Sequence, residues 1–158
     1  DGSREETLII PNSGLRRPSK FEGLASTMIM DGGAVFNFTL QRVPGLIREI
    51  LEFSGSSVEE IDNFVLHQPN AYILRNLAKR MNIPDSKMIT TTQSLYGNQN
   101  SASIPGTITG FLSDSFSGKE QKNIFAGFGI GLSWGAAVIN TNKIFCEQTK
   151  LSKNFRAE

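Results

Sequence analysis

His67, Asn98 and the glycines at 129 and 131 are the residues of this chain whose types suit a developing oxyanion. A neutral imidazole and a carboxamide both donate hydrogen bonds without bringing negative charge, as a carbonyl oxygen gaining charge requires. Glycine lets backbone N–H groups approach a substrate closely. Each also has a plainer reading. His67 is the only histidine; taken alone, it reads as a partly buried ring bonded to nearby backbone where an apolar strand gives way to a helix start. Asn98 after Gly97 suits ordinary local capping, and Gly129-Ile130-Gly131 suits a tight hairpin turn.

Convergence on one rim would favour the chemical reading, so the elements around these residues matter. Residues 1–20 are polar and broken by Pro11, Gly14 and Pro18, which predicts a loop or linker. Met28-Ile29-Met30 is a short apolar run stopped by an Asp31-Gly32-Gly33 turn. A helical pattern starts at Val35 and ends at Gly55, with Pro44 expected to kink or split it. Ser57 and Glu60 have capping-box spacing. Asn63-Phe64-Val65-Leu66 reads as a buried strand, and Asn70 caps an amphipathic helix closed by Pro84.

Residues 88–92, rich in β-branched side chains, predict a second strand, and residues 93–100 a loop. A helix over roughly 103–116 follows, with Ile104, Ile108, Phe111 and Leu112 on one face and Pro105 tolerated in its first turn. Residues 123–128 and 132–140 read as two further strands, and residues 141–158 as a mobile polar tail. The alternation predicts an α/β fold, layered α/β/α, with a mixed and mostly parallel sheet ending in an antiparallel hairpin. In such sheets ligands gather outside the carboxyl ends of the parallel strands. The loops at 67–70, 96–100 and 128–131 leave the sheet there.

The 158 residues are 39% hydrophobic and 20% charged, ordinary for a globular domain and unlike a disordered chain. A net charge of +1 gives no general pull toward nucleic acid or membrane. Cys146 is the sole cysteine, which excludes an internal disulfide and a cysteine-rich zinc site. No metal site is expected. A reducing cytoplasmic setting is the default, and the start at Asp1 suggests a fragment or processed product.

Four stretches, taken in order, resemble the ketoacyl-acyl carrier protein synthase III family of thiolase-like condensing enzymes. They are Met30-Asp31-Gly32 with Val35-Phe36; His67-Gln68-Pro69-Asn70; Gly97-Asn98 with Ser101-Ala102-Ser103-Ile104-Pro105; and the run from Phe128 to Gly135. The match extends from about Met28 to Asn140. It implies the carboxy-terminal half of a two-half enzyme, with residues 1–20 a linker from a missing amino-terminal half, 21–140 the thiolase-like domain and 141–158 a tail.

The resemblance implies decarboxylative Claisen condensation of an acyl-coenzyme A with malonyl-acyl carrier protein, in fatty acid biosynthesis. His67 and Asn98 would belong to a Cys-His-Asn site and stabilise the enolate formed when carbon dioxide is lost. The Ile130 N–H, flanked by Gly129 and Gly131, would serve the acyl step. Gly32, Phe36 and Asn70 resemble positions lining the pantetheine channel, although Phe36 is equally at home as helix core. Arg75, Lys79 and Arg80 form a basic stripe that is either a solvated face or a docking site for acyl carrier protein. Tyr72 departs from a basic residue seen near the family's tunnel mouth.

No resident cofactor is implied, because the substrates carry their own phosphopantetheine. The implied partners are the missing half, acyl carrier protein, coenzyme A thioesters and a second copy in a full-length homodimer. Cys146 is no substitute for the nucleophile: neither a helix start nor a basic neighbour activates it. The chain alone is therefore expected to be inactive. Two other readings stay open, a non-catalytic acyl carrier or coenzyme A binding module, and a specialised acyltransferase of the same superfamily.

Overall fold

A computed structural model describes residues 1–11 and 27–150. Part of the predicted linker, residues 12–20, and part of the predicted tail, 151–158, lie outside the described residues. The central sheet has three strands in the order β3 (Asn63–Leu66), β4 (Glu120–Gly129) and β5 (Ser133–Asn142). β3 and β4 are parallel, whereas β4 and β5 form the expected antiparallel hairpin. The mixed α/β sheet is thus present, with its parallel pairing confined to one ladder.

Every residue of β3 is buried, as a strand covered on both faces requires. Phe64 and Leu66 join Ile124, Ala126 and Phe128 in the core beneath α1 (Gly32–Ser54) and α2 (Ala71–Met81). On the other face Phe125 stacks on Phe116 of α5 (Ser113–Gly118), with centroids 6.3 Å apart. Asn63 and Asn123, opposite each other in the ladder, hydrogen-bond at 2.7 Å and satisfy two buried amides.

α1 passes through Pro44 without dividing, contrary to the expected break. Proline has no N–H to give to the carbonyl four residues back, that of Leu40. Arg80 Nη1, from α2, donates to the Leu40 oxygen at 2.8 Å instead. Removing this donor by Arg80→Ala is expected to lower stability by ~1 kcal/mol, seen as a lower urea midpoint. The loss should shrink when Pro44→Ala restores a backbone donor, because the two changes then share one acceptor. Gly55 ends the helix at φ 62 as expected. Asp31 and Gly32 do not form a free turn: Asp31 Oδ1 accepts from Ala34 N and caps α1.

Five other expectations are corrected. The segment before the core is not all loop. Residues Gly2–Thr7 form a 3₁₀ helix, and β1 (Leu8–Ile9) pairs antiparallel with β2 (Ile29–Met30). Residues 88–92 make no ladder; Gln68 Nε2 takes the Ile89 carbonyl at 2.9 Å, so a side chain supplies what a neighbouring strand would have supplied. The predicted loop at 93–100 holds the short helix α3 (Thr92–Tyr96).

The helix after it runs as α4 (Ser103–Thr107), a π-helical stretch (Ile108–Leu112) and α5. The wider turn shifts the register of the inward face. Ser103, Thr107, Ser113 and Phe116 are buried, while the expected apolar face of Ile104, Ile108, Phe111 and Leu112 is not. Finally, residues 143–150 are no free tail. Ile144 N donates to the Phe116 carbonyl and Thr149 N to the Thr109 carbonyl, at 3.1 and 3.0 Å.

Candidate active site

His67 follows β3 directly, and its N–H continues the parallel ladder by donating to the Ala126 carbonyl at 2.8 Å. The chain then turns into α2, capped by Asn70, whose Oδ1 accepts from Ile73 N at 2.8 Å. Gln68, 1% exposed, anchors the turn by donating to the Leu66 and Ile89 carbonyls. The Asn98 loop is held from both sides. The Thr92 and Thr107 hydroxyls meet at 2.9 Å, tying α3 to α4, and Gly97 adopts φ 69, a conformation that glycine tolerates. Asn98 Oδ1 accepts from Asn100 N at 2.9 Å, and Asn100 itself sits at φ 50.

These elements bring His67, Asn98, Gly129 and Ile130 to one cavity of about 510 Å³, which Ile104, Phe128, Leu8 and Met30 also wall. An adjoining space of about 210 Å³ is lined by Gly32, Asn70, His67, Asn98 and Gly129. The loops at 67–70 and 128–131 share a rim because β3 and β4 run parallel, and residues 96–100 reach the same cavity although 88–92 joins no ladder. Gly131 sits apart from both cavities; at φ 141, a Cβ there would lie 2.9 Å from Ser133 N. Its glycine serves the turn. Gly129 lines the cavity and has open space at its own Cβ position.

Phe36 lines neither cavity and instead stacks on Tyr72, centroids 5.5 Å apart. Arg75 and Lys79 are exposed, and the guanidinium of Arg80 is committed to Leu40. Cys146 lies beyond β5, its carbonyl accepting from Ser117 Oγ at 3.2 Å. Among the described residues no cluster of His, Cys, Asp and Glu could hold a metal, and no helix is long and apolar enough to cross a membrane. Sequence reasoning assigned no role to Leu8 and Met30, which wall the site from the β1–β2 pair, or to Ser103. Ser103 Oγ lies 3.0 Å from His67 Nδ1. An available signal was its four-residue spacing from Thr107, which puts two hydroxyls on one helix face.

Burial holds the His67 imidazole below its ordinary value of 6.5, with a hydrogen bond to the Asn100 backbone acting in the other direction. The ring packs edge-on to Phe128, centroids 5.4 Å apart. A neutral form is thus favoured at neutral pH. The unfolded chain binds this proton more readily than the folded one. The stability His67 contributes is therefore complete above 6.5 and lost as pH falls below that value toward the folded pKa. Urea midpoints measured downward from pH 8 should fall more steeply for wild type than for a His67→Gln variant.

A mixed sheet whose carboxyl rim gathers a neutral histidine, an amide and a glycine turn is the frame of a thiolase-like half. The family model for the carboxy-terminal domain of 3-oxoacyl-[acyl-carrier-protein] synthase III matches residues 51–141, and the chain belongs to that family. It is 35% identical over 144 residues to the beta-ketoacyl-[acyl-carrier-protein] synthase III of Lactococcus lactis, covering 89% of this chain and 44% of the relative. It is 39% identical over 118 residues to the protein of the same name from Porphyra umbilicalis, covering 75% of this chain and 36% of the relative.

A crystal structure of 3-oxoacyl-(acyl-carrier protein) synthase from Burkholderia xenovorans superposes with a TM-score of 0.82 at 32% identity, covering 94% of this chain and 44% of that one. The chain thus spans less than half the length of the relatives it matches.

Proposed function

We propose that this chain acts as the carboxy-terminal half of a ketoacyl-acyl carrier protein synthase III, in the decarboxylative condensation of an acyl-coenzyme A with malonyl-acyl carrier protein. The observation that carries this reading is the meeting of His67 and Asn98 in one cavity, beside Gly129 and Ile130. Residues 21–140 form the working domain, and an amino-terminal half supplies the cysteine that holds the acyl group. Malonyl thioester enters along Gly32 and Asn70. Its carbonyl oxygen takes hydrogen bonds from the His67 ring and the Asn98 amide as carbon dioxide departs. Charge then collects on an oxygen that the Asn98 amide already faces as donor and to which the His67 ring donates once Nε2 carries its proton, so the transition state gains more than the bound substrate.

The Ile130 N–H serves the acyl oxyanion, a backbone role indifferent to its side chain. The setting is cytoplasmic, no resident cofactor takes part, and the full-length enzyme pairs with a second copy. Carbon dioxide release from labelled malonyl-acyl carrier protein, with the chain joined to its other half, tests the reading. Release by the joined enzyme supports it; release undiminished when His67 and Asn98 are both replaced removes it. The chain by itself should form no covalent adduct with labelled acyl-coenzyme A, and stable acylation would overturn the division of labour.

Exposed Arg75 and Lys79 give the acidic carrier protein a docking stripe on α2. Reversing both to Glu is expected to weaken carrier binding, more at low salt than at high. Binding unchanged across a salt series would remove the docking role. Arg80 belongs to α1 packing first, and Tyr72 offers a stacked aromatic face where the family's basic residue would stand.

A further inference from the structure

The two polar groups of the site are linked by hydrogen bonds to either side of the Asn100 backbone, one of them through a residue with no assigned role. Asn98 Oδ1 accepts from the Asn100 N–H at 2.9 Å. The Asn100 carbonyl accepts from Ser103 Oγ at 2.8 Å, and Ser103 Oγ lies 3.0 Å from His67 Nδ1. Ser103 is 1% exposed, so its hydroxyl does not trade these partners for bulk water. A serine has one hydroxyl proton. Given to the Asn100 carbonyl, it leaves the serine oxygen as acceptor, and Nδ1 must then carry the ring proton.

We propose that Ser103 is a positioning residue whose hydroxyl proton decides which nitrogen of His67 is protonated, and that the Asn100 backbone, through the two peptide groups that flank its Cα, holds Ser103 and the Asn98 amide in one arrangement. In the resting chain the run is Nδ1–H to Ser103 Oγ, then Oγ–H to the Asn100 carbonyl. The neutral ring presents the Nε2 lone pair to the cavity. Turning the hydroxyl onto Nδ1 reverses the ring: Nδ1 gives its proton to water, Nε2 takes one, and Nε2–H becomes a donor with no change of net charge. A thioester oxygen at Nε2 favours the turned arrangement. This last consequence rests on the decarboxylation reading; the resting proton assignment does not.

Asn100 holds both ends because its backbone adopts φ 50, a left-handed conformation that asparagine tolerates and β-branched residues resist. Its contribution to the run is made by its peptide groups. Asn100→Gly should therefore preserve the run, and Asn100→Val should break it.

His67 is the only histidine in the chain, so ring nitrogen-15 spectra report on it without assignment work. The labelled 158-residue chain is examined without substrate at a pH well above 6.5, alongside Ser103→Ala, Ser103→Thr and Asn100→Gly. Circular dichroism checks that each variant is folded. Wild type, Ser103→Thr and Asn100→Gly are expected to show a protonated Nδ1 and a bare Nε2. Ser103→Ala is expected to lose that pattern and shift toward Nε2–H. A wild-type ring protonated mainly at Nε2, or a Ser103→Ala spectrum like that of wild type, would overturn the proposal. Since no substrate is present, either result stands apart from whether His67 and Asn98 support decarboxylation.

Discussion

His67→Ala or Asn98→Ala, each in the joined enzyme, is expected to slow carbon dioxide release from malonyl-acyl carrier protein by ~10²–10³-fold. The expectation follows from the roles proposed for the two side chains. The amide of Asn98 is fixed through its oxygen by Asn100 N, which leaves its NH₂ group to serve as donor. His67 is fixed by its backbone bond to Ala126 and by Ser103 at Nδ1, which leaves Nε2 for the substrate. The Asn98 donor is held in place before the reaction and pays little reorganisation when charge appears, while the His67 ring is held in place and needs only its proton at Nε2. The loss should fall on kcat more than on KM, because the interaction strengthens in the transition state. An equal rate in the Asn98→Ala enzyme would show that the amide only shapes its loop.

Phe64→Ala is expected to cost ~3–5 kcal/mol of stability, the largest structural effect among these variants. Phe64 is 1% exposed and lies in the middle of β3, beneath both α1 and α2. Strand residues on either side of it are also buried, so no loop or surface can move in to fill the void. A domain with the usual ~5–15 kcal/mol of total stability would lose a large part of it. The check is a urea denaturation series, in which the midpoint should drop with little change in slope. His67 begins where this strand ends, so partial loosening of β3 should also broaden the His67 ring signals before global unfolding.

Much of this architecture was legible because apolar residues recur at helical or strand intervals. The run 63–66 reads as a buried strand because Phe64, Val65 and Leu66 put apolar side chains on both of its faces. α2 was legible from its cap, its stripe and the proline after it. Sequence reasoning failed where a remote group decides the outcome. Pro44 signals a break only until Arg80 is found serving the orphaned carbonyl. Residues 88–92 have the composition of a strand, but pairing is a property of neighbours, and Gln68 occupies the edge. The apolar stripe of 103–116 was projected at a regular helical period, which the π-helical stretch interrupts.

At the site, His67, Asn98 and the glycine turn stood out by type and by family pattern. Ser103 did not, because a serine near a helix start is commonplace. Only its distances to a ring nitrogen and a carbonyl give it meaning.

The strap formed by residues 143–150 sets a practical boundary for handling this domain. Composition alone would invite a cut after the last strand. Such a cut would strip the Thr109 and Phe116 carbonyls of their donors and remove the hydroxyl of Thr149 from that of Thr109. The π-helical stretch would lose its outer brace, and Ile104, at the far end of the same helical rod, walls the cavity. Shortened versions meant for crystallisation or screening are better ended beyond Lys150 than at Asn142.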